Sequence, residues 1–133
     1  MKYLLDTNIC IYLINRKQEA LIEIIEKEKT TDVAISFVTI AELHYGVYKS
    51  EHQERNLSSL QKFLTPFQII SFSSDMATLF GKHRATLAKK GKLIGPYDML
   101  IATQALYHDL TLVTNNVKEF NRIPELKIEN WLK

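Results

Sequence analysis

Short apolar runs alternate along the chain with longer segments of helical period. Lys2 to Leu5 reads as a strand and Ile9 to Asn15 as a helix, and Ala20, Leu21, Ile24 and Ile25 recur at helical spacing. Val33 to Phe37 predicts a second strand, with a helix over Val38 to Lys49. Leu57, Leu60 and Leu64 continue a helix that Pro66 follows. Ile69 to Phe72 predicts a third strand, after which Ser73-Ser74-Asp75 offers caps for a long helix through Lys90. Gly95-Pro96 opens a further helix ending near Asp109; Leu110 to Thr114 reads as a strand, and Lys127 and Ile128 as a short last one. Strands separated by helices, with few hairpin signals, imply an α/β chain: a mostly parallel sheet covered on both faces. No repeat or flexible linker interrupts it, so 1–133 are expected to form one domain.

In such sheets ligands sit beyond the carboxyl ends of the strands, and polar residues interrupt the pattern there. Asp6, Thr7 and Asn8 follow the first strand, and Asn115 and Asn116 follow TLVT. Asp6 suits a helix cap, and a capping carboxylate has oxygens to spare for a ligand. In SFVTIAELHYGVYKS, Glu42 shares a helical stripe with Val38, Ala41, Tyr45 and Tyr48. A glutamate on a packed face must be paired, protonated or bound to a cation. Asp98 shares a face with Ile101, Ala102 and Ala105, in a first helical turn where the macrodipole favours an anion.

Each carboxylate has a structural explanation alone: a cap, a stripe edge, a dipole. Three of them on three elements point further, because convergence without a cation costs repulsion and raises at least one pKa. Oxygen ligands without clustered His or Cys select Mg²⁺ or Mn²⁺ over zinc.

A chain of 133 residues, 46% hydrophobic and 24% charged, is long enough to bury a core without staples. The apolar run Ile9 to Ile14 is too short to cross a bilayer, so no membrane association is expected. The single cysteine, Cys10, and the lack of a leader-like start lead us to expect a reducing cytoplasm. The net charge of +2 conceals an asymmetry. KHRATLAKKGK holds Lys82, Arg84, Lys89, Lys90 and Lys92 without an acid, so the rest of the chain is net acidic. Such a patch is either a solvated helix face or a site for a polyanion such as RNA.

Four blocks then resemble one family in order and spacing: LLDTN at Leu4 to Asn8, TIAELHYG at Thr39 to Gly46, GPYDMLIA at Gly95 to Ala102, and LVTNNVKEF at Leu112 to Phe120. The sequence resembles the PIN-domain ribonucleases, and within them the VapC toxins of bacterial VapBC toxin–antitoxin pairs. The resemblance implies a three-layer α/β/α sandwich and a Mg²⁺- or Mn²⁺-dependent acidic pocket, with Asp6, Glu42 and Asp98 as catalytic metal ligands. Many PIN domains carry a fourth aspartate after the last core strand, where Asn115 and Asn116 stand here. Glu119, one helical turn on, and Asn116 rank next, with Thr7, Asn8 and Thr114 as groups that hold the carboxylates in place.

The implied reaction is metal-assisted hydrolysis of an RNA phosphodiester, leaving a 5′-phosphate and a 3′-hydroxyl. The implied target is structured RNA, with tRNA and specifically initiator tRNA in view, so that translation stops. A homodimer and a neutralising VapB antitoxin are implied as well. Tyr45, Tyr48 and Tyr97 are either core residues at helical spacing or platforms for bases.

Other classes fit less well. Haloacid-dehalogenase-like phosphatases need a second aspartate where Asn8 stands, and metal-independent ribonucleases need paired histidines, whereas His44, His52, His83 and His108 are scattered. A non-catalytic RNA-binding module on the same fold is the alternative in a different class.

Overall fold

The computed structural model describes residues 1–132. Five strands, β1 (Tyr3–Leu5), β2 (Val33–Ser36), β3 (Gln68–Ile70), β4 (Thr111–Val113) and β5 (Ile128–Glu129), form one sheet in the order β3-β2-β1-β4-β5. Every pairing is parallel, in register Tyr3 with Val33 and with Thr111. The helices are α1 (Thr7–Ile14), α2 (Glu19–Lys27), α3 (Phe37–Tyr48), α4 (Gln53–Leu64), α5 (Ser74–Lys89), α6 (Pro96–Tyr107) and α7 (Val117–Phe120).

Side-chain alternation along the strands builds the layers. Leu5, Val33, Ile35 and Val113 pack with Ile9, Leu13, Leu21, Leu43 and Leu60 from α1 to α4. Leu4, Ala34 and Leu112 face the other way, onto Leu87, Met99, Ile101, Ala102 and Ala105 from α5 and α6. The result is the expected α/β/α sandwich, with its sheet wholly rather than mostly parallel.

Boundaries moved where chain geometry overrode hydrophobicity. Phe37, expected to end β2, instead begins α3, because Ser36 Oγ accepts from the Val38 N–H at 3.0 Å and starts the helix one residue early. The third strand stops at Ile70, leaving Phe72 in the loop. Ser73 occupies the N-cap of α5, but its side chain makes no capping bond. α7 has no counterpart in the expected elements; four residues are too few to leave a periodic signal.

The chain runs outward from β1 to β2 and β3, then returns to place β4 on the opposite side of β1. Connections therefore leave β1 and β4 in opposite directions, opening a crevice at their carboxyl ends. Two helix ends steer the chain towards it. α5 closes on Gly91 at φ 67°, with Gly91 N–H bonded to Ala88 O and Lys92 N–H to Leu87 O. This double closure needs a left-handed residue, which glycine adopts at no steric cost. Gly95-Pro96 then starts α6, proline sitting in the first turn where its missing N–H costs nothing.

Candidate active site

Asp6 ends β1 and caps α1, its Oδ1 accepting from the Thr7 N–H at 2.8 Å. Its backbone N–H bonds Val113 O at 2.9 Å, tying it to the end of β4. On that neighbouring strand, Thr114 donates its hydroxyl to Asp6 Oδ2 at 2.8 Å. Asp6 and Thr114 are both buried. Burial raises the Asp6 pKa, opposed by the bonds from Thr114 and Thr7, and the charge of Glu119 raises it further.

Glu42 reaches the crevice from α3. Its Oε1 accepts from Thr7 Oγ1 at 2.7 Å, and Thr7 Oγ1 also lies 3.0 Å from Thr39 Oγ1. The environment differs from the expected one. The packed face of α3 consists of Val38, Thr39, Leu43 and Val47, while Tyr45 and Tyr48 are exposed. Glu42 is half-buried at the edge of that face, held by a hydroxyl. Thr39, fully buried, did not stand out in the sequence, although it lies one helical turn before Glu42 on the same side.

Asp98 and Glu119 complete the acidic side. Asp98 rides the first turn of α6, with Ile101, Ala102 and Ala105 buried beneath it as expected. Glu119 comes from α7; its Oε1 accepts from the Gly95 N–H at 3.2 Å and its Oε2 from the Asn116 side-chain amide at 3.1 Å. The two carboxylates meet over Gly95, where an added Cβ would lie 3.9 Å from Asp98 Oδ2 and 4.0 Å from Glu119 Oε1. Asn116 is itself anchored, its N–H bonded to Thr114 Oγ1 at 3.0 Å. One threonine hydroxyl thus links Asp6 and the loop that carries Glu119.

The electrostatics follow from crowding. The Asp98 carboxyl is pushed up to about 7 by burial first, then by the charges of Asp6 and Glu119, a hydrogen bond with Glu119, and the charge of Glu42. Glu119 is held below the usual carboxylate range: burial alone would raise it, but bonds from Asn116, Gly95 and Asp98 and the nearby Arg122 outweigh that. The two carboxyls therefore titrate as a coupled pair, Asp98 raised and Glu119 lowered. Among the described residues, no Lys or Arg forms an ion pair with any of the four acids.

An oxygen-only, anion-rich crevice whose acids have no ion-pair partner among the described residues suits a hard divalent ion. Among the described residues, no three His, Cys, Asp or Glu side chains stand close enough around one point to enclose an ion by themselves. That spacing is compatible with magnesium, which keeps several waters and takes only one or two carboxylates.

The remaining sequence candidates divide. Asn8 and Asn115 are exposed and Asn8 makes no side-chain hydrogen bond among the described residues; Asn8 lines the groove beside Glu42 and Thr7. Lys82, Lys89, Lys90 and Lys92 are exposed, and Lys82 and Lys90 line a cleft with His83 and Glu125. Arg84 departs from the basic face: it is half-buried, with Nη1 enclosed and without a partner. Leu93 O accepts from Arg122 at 2.7 Å, so the segment after the lysines lies against the end of α7.

The family model described as PIN domain matches residues 3–126. A protein of Rickettsia felis, "Ribonuclease VapC2", is 47% identical, with 100% of both chains covered. The chain belongs to the PIN-domain family, among its VapC members. A Salmonella typhimurium relative, "tRNA(fMet)-specific endonuclease VapC", is 41% identical over 98% of each chain. This PIN domain also matches the crystal structure of a DNA-bound VapBC from Salmonella typhimurium, with a TM-score of 0.93 at 41% identity, covering 98% of both chains. Among the described residues, no helix is long and apolar enough to cross a membrane.

Proposed function

We propose that this PIN domain is a divalent-metal-dependent endoribonuclease toxin that hydrolyses phosphodiester bonds in structured RNA. The observation that carries this is that Asp6, Glu42 and Glu119, from separate parts of the chain, all raise the Asp98 pKa across one crevice in which none of the four acids is ion-paired among the described residues. Of Asp6, Glu42 and Asp98, one or two would ligate Mg²⁺ or Mn²⁺ directly and the rest would act through its waters, with Glu119 as the further acidic group. When bound, the ion supplies positive charge for the phosphoryl oxygens and eases ionisation of a water at neutral pH.

The chain's own atoms orient and tune. Thr114 and Thr7 restrict the rotamers of Asp6 and Glu42, as supporting groups around metal ligands do. Asn116 and Gly95 hold Glu119 ionised against Asp98. Asp98 titrates near neutrality, so its ionisation is coupled to ion uptake. Lys82, Lys89, Lys90 and Lys92 would hold phosphates of the substrate, while half-buried Arg84 contributes less. Cleavage would leave a 5′-phosphate and a 3′-hydroxyl.

Relatives named as tRNA(fMet)-specific endonucleases support tRNA, and initiator tRNA in particular, as the substrate; cutting it stops translation. Solved VapBC complexes of similar chains support a VapB-type antitoxin as partner; a toxin homodimer and a cytoplasmic setting belong to the same reading. The test is cleavage of end-labelled total tRNA with Mg²⁺ or Mn²⁺, with chelator, and with Asp98→Asn. Metal-dependent product that disappears in the variant is the expected result. Salt-sensitive RNA binding without product from tRNA or ribosomal RNA would instead leave a non-catalytic binding module.

A further inference from the structure

Thr39 is fully buried on the packed face of α3, beside Val38, Leu43 and Val47. A valine would fill much the same space without burying a hydroxyl, and a hydroxyl enclosed without a partner is costly. Threonines inside helices can settle this by bonding a carbonyl of the preceding turn. Two in this protein do so: Thr103 donates to Met99 O at 2.8 Å and Thr86 to Lys82 O at 3.0 Å. Thr39 makes no such bond among the described residues. Its hydroxyl crosses instead to another element, 3.0 Å from Thr7 Oγ1 at the start of α1.

The direction of that bond follows from a count of protons. A hydroxyl has one proton to give and two lone pairs with which to receive. Thr7 gives its proton to Glu42 Oε1 at 2.7 Å, so Thr39 is the donor to Thr7. The order runs from Thr39 to Thr7 to Glu42, leaving α3 for α1 and returning to α3 one helical turn on. Hydroxyls bonded in series polarise one another, which strengthens the last bond, onto the carboxylate.

We propose that Thr39 is a positioning residue of the acidic site: acting through Thr7, it fixes Glu42 Oε1 and leaves Oε2 for the cation or one of its waters. The proposal rests on the metal-dependent reading for its purpose, while the order of the hydrogen bonds can be tested without metal.

The first measurement is NMR in chelator, following the hydroxyl protons of Thr7 and Thr39. Both should be observed in wild type, their exchange with water slowed by the bonds. Thr39→Val should lose the Thr7 hydroxyl signal, and Thr39→Ser should retain it. The second measurement is Mn²⁺ affinity, from the free-ion EPR signal. Thr39→Val should bind Mn²⁺ about tenfold more weakly, the loss typical of removing a group that supports a metal ligand. Thr39→Ser should stay within about twofold of wild type. Thr7→Val should resemble Thr39→Val, and the double variant should be no weaker than Thr7→Val alone. Independent effects would instead multiply to about a hundredfold. Thermal melting checks that each variant folds, and Thr39→Ala replaces Thr39→Val in the cycle if the valine does not.

An unchanged Thr7 hydroxyl signal together with unchanged Mn²⁺ affinity in Thr39→Val would overturn the proposal. So would losses that multiply in the double variant, or a loss that serine fails to rescue, since either would assign Thr39 to packing. The expected hydroxyl pattern without any Mn²⁺ binding by wild type would keep the chain onto Glu42 and remove the metal reading. Mn²⁺ binding without that pattern would do the reverse.

Discussion

Thr114 Oγ1 and Asp6 Oδ2 are 2.8 Å apart in a buried contact joining the ends of two adjacent parallel strands, although 108 positions separate the residues in the chain. A hydrogen bond to a charged group contributes about 1.5–3 kcal/mol, and a buried acceptor left without one bears its desolvation cost. Thr114→Val should therefore destabilise the protein by about 1–3 kcal/mol in urea unfolding. It should also raise the Asp6 pKa further, a shift visible in carboxyl NMR titration. Thr114→Ser should restore most of both, and a valine variant as stable as wild type would remove the bond from the account.

Asp98 makes a prediction about pH. Its folded-state pKa lies above the ordinary carboxylate range, so the folded protein binds a proton that the unfolded chain has released. The Asp98 contribution to metal-free stability should therefore fall as pH rises from about 4 to about 7. Asp6, also raised, acts in the same direction. Glu119, lowered, acts oppositely, its stabilisation being lost only as pH falls through its folded pKa. Urea unfolding in chelator should show the fall in wild type and a shallower one in Asp98→Asn. Equal pH profiles would contradict it.

Added Mn²⁺ should reverse that penalty. An ion that binds only the folded state stabilises by about 2.7 kcal/mol at a hundredfold excess over its dissociation constant. Thermal unfolding should accordingly rise by several degrees with Mn²⁺, and Asp98→Asn should abolish most of the rise. A full rise in the variant would place the ion elsewhere.

Thr7 offers a sharper test of orientation, because its hydroxyl reaches Glu42 at 2.7 Å and lies 3.0 Å from Thr39. Thr7→Val should lower cleavage about tenfold or more, an effect typical of losing a group that supports a metal ligand. Thr7→Ser should remain near wild type. Initial rates on labelled tRNA at saturating Mg²⁺ decide it.

Lys89 ends α5 and Lys90 is its C-cap, both exposed. Replacing both by alanine should weaken RNA binding and reduce the log–log salt slope by about 1–2 units. An unchanged slope, measured by anisotropy across a salt series, would return them to an ordinary solvated face.

The parallel sandwich was legible because short apolar runs such as YLL and TLV are separated by helix-length segments. Asp6 and Asp98 stood out by their place at a strand end and above Ile101 and Ala102. Glu42 was found for a partly mistaken reason: the stripe it shares with Tyr45 and Tyr48 faces solvent, and Thr7 and Thr39 supply its setting. Periodicity finds a stripe without saying which of two stripes is covered, and α3, apolar around much of its circumference, left that choice to its neighbours.

The succession of strands and helices along the chain and the residue chemistry at their ends were therefore determined by the chain alone, since local geometry and hydrophobic period are properties of neighbours in sequence. Tertiary structure alone decided that Glu119 stands against Asp98, that Thr114 holds Asp6, and that four aromatic rings open onto one groove beside Glu42. Those relations join distant residues around the crevice where the connections from parallel β1 and β4 diverge, and no local pattern encodes a distance between segments that only packing brings together.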